Sequence, residues 1–203
     1  MAAARFGYSF NRIRQSPNQT RSTKERLSEN IIKVAITGPE STGKSTLAEQ
    51  LATHYGTVWV PEFARTYIAE LPQRYLPQDI ENIARGQLTA IQNARAAANK
   101  ILFADTDLLV IKIWFTHAFG YCPDWILEAL EKQDFQLYLL MNVDLPWQAD
   151  EQREHPHLRQ FFYDWYQQEL EQYGFPFVRI SGSQEERLQN ALTHLEQLQF
   201  KKY

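Results

Sequence analysis

A single cysteine, Cys122, occurs in 203 residues, so no internal disulfide can form and no cysteine-based zinc site can be built. A long apolar run is also missing. The longest stretch, Ile101 to Phe115, is interrupted by Asp105, Asp107 and Lys112, which leaves it too short and too charged to span a bilayer. The N-terminus holds no apolar signal core followed by a cleavage site. Excess positive charge is absent as well: the net charge is −3, so no general basic field draws the chain to nucleic acid or to an anionic membrane. The five histidines, His54, His117, His155, His157 and His194, show no ligand spacing with cysteine or acids, which argues against a structural metal. Together these absences lead us to expect a cytoplasmic protein whose partner is a small molecule, with no nucleic acid and no membrane.

What charge there is lies unevenly. Residues 1–29 carry six basic residues against Glu25 and Glu29, about +4, so the remainder sits near −7 within the total of −3. That first segment is rich in Arg, Ser, Asn and Gln without periodicity, and we read residues 1–30 as a flexible basic extension. Its Arg-rich, acid-poor beginning has a faint presequence character, and Phe6, Tyr8 and Phe10 within it are weak signals of nucleic-acid binding. The chain as a whole is 44% apolar and 22% charged, an ordinary globular balance. One domain over 31–203 is the expectation.

Apolar patterning then gives the order of elements. Ile31 to Thr37 is a nearly continuous apolar run, the mark of a buried parallel strand, and further strands are predicted at Thr57–Val60, Ile101–Ala104, Phe135–Met141 and Phe177–Ile180. Helices are predicted from Gly43 to Gly56, Phe63 to Leu71, Gln78 to Asn99, Leu108 to Phe119, Asp124 to Lys132, Arg159 to Tyr173 and Gln184 to Leu198. The longest has Ile80, Ile83, Ala84, Leu88, Ile91, Ala94 and Ala98 at helical spacing on one stripe, and the last has Leu188, Ala191, Leu192, Leu195 and Leu198. Tyr163, Trp165 and Tyr166 read as core. Residues 143–158 are polar, charged and broken by proline, so we expect a loop or mobile flap there. Strands alternating with helices specify an α/β fold, a three-layer α/β/α arrangement around five parallel strands.

Between the first strand and the first helix lies Gly38-Pro39-Glu40-Ser41-Thr42-Gly43-Lys44-Ser45, which fits the phosphate-loop pattern at every fixed position. Such a loop wraps a phosphate in backbone N–H groups, so Gly38 and Gly43 must allow close approach and unusual dihedrals. Glu40, Ser41, Thr42 and Thr46 complete the triphosphate cradle. The helix directs its positive end at the phosphates, Lys44 supplies a mobile charge, and Ser45 offers a hydroxyl to magnesium. The pattern implies a P-loop NTPase using ATP and Mg2+.

Carboxylates at strand ends extend the reading, because ligands of open α/β sheets sit at that edge. Glu62 follows the second strand and is placed to accept a proton from a substrate hydroxyl; Arg65, three residues on, shares its helical face and is a candidate to hold substrate or phosphate. Asp105, at the end of the third strand, suits a magnesium hydration shell. Asp107 suits either a helix cap or substrate. Gln87, inside an apolar stripe, is a candidate for the substrate base or a buried structural amide. In the flap, Arg153 and Arg159 are candidates to neutralise phosphate charge, and Trp147 to stack on an aromatic ring.

Four stretches in this order, GPESTGKSTL, VPEFARTY, DTDLLVIKIW and DLPWQADEQREHPHLRQ, resemble the ribosylnicotinamide kinase family over approximately Ile32 to Leu198. The resemblance implies transfer of the ATP γ-phosphate to the 5′-hydroxyl of nicotinamide riboside, with Glu62 where related deoxynucleoside kinases keep their base and Trp147 against the nicotinamide ring. The residues before the first strand hold no His-x-x-His motif, so the kinase step alone is expected, without an adenylyltransferase domain. Other readings share the phosphate loop: another nucleoside or deoxynucleoside kinase, or an ATPase switch without an acceptor. A GTPase would want Asn-Lys-x-Asp, which Asn142-Val143-Asp144 does not supply, and a polynucleotide kinase would want a basic groove.

Overall fold

The computed structural model describes residues 31–200; the basic segment 1–30 lies outside the described residues. Ile32–Thr37 forms β1, with every side chain buried, as a strand covered on both faces requires. Its alternate residues part to two apolar clusters: Val34 and Ile36 face one, Ala35 the other. Along the chain follow α1 (Lys44–Tyr55), β2 (Trp59–Val60), α2 (Phe63–Ala69), α3 (Pro77–Ala94), β3 (Ile101–Asp105), α4 (Leu108–Phe119), α5 (Asp124–Glu131), β4 (Leu137–Met141), α6 (Arg159–Gln172), β5 (Phe177–Ile180) and α7 (Gln184–Phe200). The strands pair in parallel in the order β2-β3-β1-β4-β5, the five-stranded three-layer arrangement expected from the sequence.

Side-chain size and period decide which helix covers which face. The cluster holding Ile83, Ile111, Ile126 and Leu170 packs α3, α4, α5 and α6 on one side. Leu47 and Leu51 of α1 and Leu195 of α7 meet Ile36, Phe103 and Leu139 on the other. Because all strands run the same way, the ends of β1, β3 and β4 open on one edge, and β1 lies between β3 and β4 with Ile36 opposite Asp105 and Leu139. That register sets the phosphate loop beside the acidic turn after β3.

Several element boundaries differ from the sequence reading, and three of them have a local reason. Thr57 does not join β2: its hydroxyl donates to the Ile101 carbonyl at 2.7 Å and accepts from the Asn99 N–H at 2.9 Å, taking the place of ladder bonds. The long helix ends at Ala94, and the chain turns into β3 through Lys100 with φ 64°. Ahead of β4, the Gln136 side-chain oxygen accepts from the Lys33 N–H at 2.6 Å, so a side chain opens the pairing. Among the described residues, no helix is long and apolar enough to cross a membrane.

Gly86 in α3 lies under the Phe63 ring: a Cβ there would fall 2.2 Å from a ring carbon. We expect Gly86→Ala to destabilise the protein by about 1–3 kcal/mol through overpacking, outweighing the roughly 1 kcal/mol helix-propensity gain. Thermal unfolding checks this, and a Tm equal to or above the wild type would show that Phe63 yields freely.

Candidate active site

The loop between β1 and α1 folds as an anion cradle because its two glycines take backbone conformations that side chains resist. Gly38 has φ 131° and presses on the end of β4, where a Cβ would come within 3.0 Å of the Met141 carbonyl oxygen. Gly43 has φ 81° and precedes the first turn of α1. The Lys44 ammonium turns back into the loop and donates to the carbonyls of Gly38 at 2.9 Å and Pro39 at 2.8 Å. Desolvation lowers its pKa from the usual lysine value, opposed by Glu62, Asp105 and Glu40. Carbonyl partners of this kind are exchangeable for phosphate oxygens, which bind an ammonium more strongly.

Beside the loop, Ser45 donates to Asp105 Oδ2 at 2.5 Å. Asp105 Oδ1 is buried and has no hydrogen-bond partner. Burial pushes the Asp105 pKa up to about 6, against the opposing pull of Lys44. The next residue, Thr106, has φ 84°, a strained position for a β-branched side chain. Asp107 then caps α4, accepting from the Leu109 N–H at 3.2 Å and the Gln133 amide at 3.0 Å; burial raises it too, to about 6. Gln87 braces this turn. It donates to the Thr106 carbonyl at 3.0 Å and accepts from the Phe63 N–H at 2.8 Å, which ties the turn to the start of α2.

Glu62 stands at that start, as the N-cap of α2, with Arg65 Nε 3.5 Å from its carboxylate. The Arg65 guanidinium reaches both oxygens of Asp150 in the flap at 2.8 Å. The Gln152 N–H, and then Arg65, hold Asp150 below the ordinary carboxylate range. Gln152 in turn donates to the Arg65 carbonyl at 3.0 Å. The flap also meets the phosphate loop: the Gln148 N–H donates to Ser41 Oγ at 2.8 Å, and Arg159 to the Ser41 carbonyl at 3.0 Å and the Leu145 carbonyl at 2.9 Å. Arg153 donates to the Gln148 carbonyl at 2.5 Å, and its Nε is buried without a protein partner.

These parts enclose one cleft of about 570 Å³, lined by the phosphate loop, Glu62, Arg65 and Arg153. Part of its lining is aromatic. Tyr75 and Trp114 meet edge to face, centroids 4.8 Å apart at 74°, and Phe162 and Tyr166 line the same cleft. Gln87, Asp107 and Trp147 do not line the cleft; the first two serve the turn after β3, and Trp147 packs under the Arg159 guanidinium, 5.9 Å from its ring centre. Asp105 lies behind Ser45, beneath the floor. Sequence reasoning missed Tyr75 and Trp114, and placed Tyr166 only in the core. It also missed Arg187, 2% exposed, which donates to the carbonyls of Gly182 at 2.8 Å, Thr42 at 2.9 Å and Asn142 at 3.0 Å and pairs with Asp144. A signal existed: Arg187 falls four residues before Ala191 and eight before Leu195, on the buried stripe.

Comparison with known proteins adds to this geometry. A family model described as an AAA domain matches residues 33–187. The trifunctional NAD biosynthesis/regulator protein NadR of Escherichia coli (strain K12) is 32% identical over 123 residues, 58% of this chain and 30% of that protein. The chain therefore spans less than a third of the curated relative it matches. Among solved structures, a NadR protein in complex with NR has a TM-score of 0.71 at 22% identity, covering 86% of this chain and 52% of that one. A NadR protein in complex with NAD and AMP-PNP has a TM-score of 0.72 at 19% identity, covering 86% and 51%. The likeness to ribosylnicotinamide kinases drawn from the four sequence stretches is borne out by these matches.

The raised carboxyls of Asp105 and Asp107 fix the sign of a pH effect. A folded-state pKa near 6 against a usual 3.8 means that the folded protein holds these protons more tightly than the unfolded chain. The stability they contribute is full below about pH 4 and is lost as pH rises through about 6, by about 2–3 kcal/mol per carboxyl. In magnesium-free buffer, Asp107→Asn should reduce this slope by about half and leave stability at pH 4 unchanged. Urea unfolding at pH 4 and pH 7.5 tests it; an unaltered slope would mean that Asp107 titrates normally.

Proposed function

The chain belongs to the AAA-domain family, and on that premise we propose that it is an ATP-dependent kinase that phosphorylates the 5′-hydroxyl of nicotinamide riboside to give nicotinamide mononucleotide. One observation carries the reading: the phosphate loop, the Glu62 carboxylate and an aromatic wall share a single continuous cleft. A phosphate site alone would suit any NTPase. A carboxylate and a ring-binding wall beside it suit transfer to the hydroxyl of a nucleoside.

The roles follow from position. Loop N–H groups and Lys44 hold the triphosphate, Lys44 exchanging the Gly38 and Pro39 carbonyls for phosphate oxygens. Ser45 and Asp105 fit magnesium, since Asp105 carries a buried oxygen without a partner next to the Ser45 hydroxyl. Magnesium when bound neutralises charge on the transferring phosphoryl group. Glu62 takes the 5′-hydroxyl proton as that oxygen bonds to the γ-phosphorus and the bond to the β-phosphate bridging oxygen breaks. Arg65, pinned by Asp150, holds the Glu62 carboxylate in place, and Arg153 turns its unpartnered Nε toward the phosphates.

The aromatic wall supports a pyridinium acceptor in particular. The ring of nicotinamide riboside is cationic, so the face of Trp114 or Tyr75 attracts it beyond ordinary stacking. A neutral nucleoside would gain less there. The relative named for NAD biosynthesis, and the NadR complexes with NR and with AMP-PNP, support a pyridine nucleoside as acceptor and an adenine nucleotide as donor.

Phosphate transfer from ATP–Mg to a panel of nicotinamide riboside, common nucleosides, deoxynucleosides and water tests this proposal. We expect preference for nicotinamide riboside, abolished by Lys44→Ala. Glu62→Gln should lower kcat by about 10²-fold or more while nucleotide binding persists. ATP hydrolysis that ignores every acceptor would sink the kinase reading, and preference for another nucleoside would remove the pyridine assignment alone.

A further inference from the structure

A carboxylate is an odd occupant of a loop built to hold anions, yet Glu40 is the third residue of the phosphate loop and lines the cleft. Its charge reaches Lys44, on which it acts together with Glu62 and Asp105. Standing so near the triphosphate, it weakens phosphate binding. The structure shows what it does instead. Glu40 Oε2 accepts the backbone N–H groups of Glu154 at 3.1 Å and His155 at 3.3 Å, two consecutive donors in the flap. Charge-assisted bonds of this type are stronger than neutral ones.

Both donors follow directly on Arg153, a residue that lines the cleft and whose Nε is buried without a hydrogen-bond partner. Earlier in the flap, Gln148 is held by Ser41 and Asp150 by Arg65, with Arg153 also 3.9 Å from Asp150. Glu40 is therefore the contact that ties the segment carrying Arg153 and His155 to the phosphate loop itself. Resting on the kinase reading above, we propose that Glu40 is a positioning residue, a latch that holds the flap shut over the donor phosphates, aims Arg153 at them and keeps water out. A neutral residue would favour nucleotide binding but would leave this part of the flap without its charged acceptor.

The proposal predicts an unusual split. Glu40→Ala should lower kcat for transfer by about tenfold, as expected for loss of a positioned charge, while KM for ATP falls or stays the same because a repulsive charge is gone. Acceptor-independent hydrolysis should take a larger share of ATP turnover. Glu40→Gln, which keeps an acceptor oxygen without the charge, should recover part of kcat. Independently of chemistry, amide hydrogen exchange on the ligand-free full chain should show Glu154 and His155 exchanging about tenfold faster in Glu40→Ala, with β1 amides unchanged. Equal exchange at Glu154 and His155 in variant and wild type would overturn the latch. So would an intact kcat with a raised KM for ATP, the signature of a simple nucleotide contact. If the wild type transfers phosphate to no acceptor, the kinase reading fails on its own, and the exchange measurement still decides the latch.

Discussion

The close approach of Gly38 to the Met141 carbonyl is the constraint on which the rest of the site depends. Without a Cβ at that position, the phosphate loop leaves β1 against the end of β4, and its N–H groups are free to turn inward rather than bond within the sheet. Arg187 then fixes the geometry from below. Its guanidinium gathers carbonyls from the loop, the β4 exit and the turn after β5, with Asp144 as counter-charge. A buried guanidinium needs all those acceptors to offset its desolvation, so one side chain holds three carboxyl-edge loops in one place. Burial lowers its pKa from the usual arginine value, opposed by Asp144.

Around this frame the molecule tolerates local conflict where chemistry would use it. Asp105 and Asp107 are buried carboxyls, and Thr106 between them takes a left-handed backbone conformation. Gln87 and Gln133 pay for part of this with amide hydrogen bonds that no substrate needs to supply. Oxygens of Asp105, Thr106 and Asp107 stay without a partner, and the one on Asp105 lies next to Ser45. Strain and unmet polarity gathered at one edge of a well-packed sheet are the marks of a working site.

The flap closes the argument between the two halves of the cleft. It meets the phosphate loop at Glu40 and Ser41 and the start of α2 at Arg65, so a single segment touches both. Closure of this kind sequesters the phosphates from water and completes the charge clamp only when the flap is seated. Tyr75, Trp114 and Phe162 line the same cleft as flap residues Gln152 to His155.

How much of this was legible beforehand depended on the range of the interactions. Ile31 to Thr37 announced a buried strand, and the stripe from Ile80 to Ile91 a helix, because periodicity is a local property of the chain. Gly38 to Ser45 announced a phosphate site for the same reason: loop, lysine and hydroxyl are contiguous. Glu62 and Asp105 were legible as candidates because Glu62 follows β2 and Asp105 ends β3. Long-range placement was not so readable. Gln87 and Asp107, candidates for substrate, turn inward to the turn after β3, and Trp147 packs under Arg159 outside the cleft. The helix from Leu108 to Phe119 is apolar almost all round, so nothing in its sequence says that Trp114 opens on the cleft; only the packing of α3 and α6 against its other faces decides that. The sequence by itself thus determined the elements and the phosphate chemistry, which rest on neighbours in the chain. The tertiary structure alone decided which side chains line the cleft and which contact the flap, because those contacts join residues as far apart as Glu40 and His155.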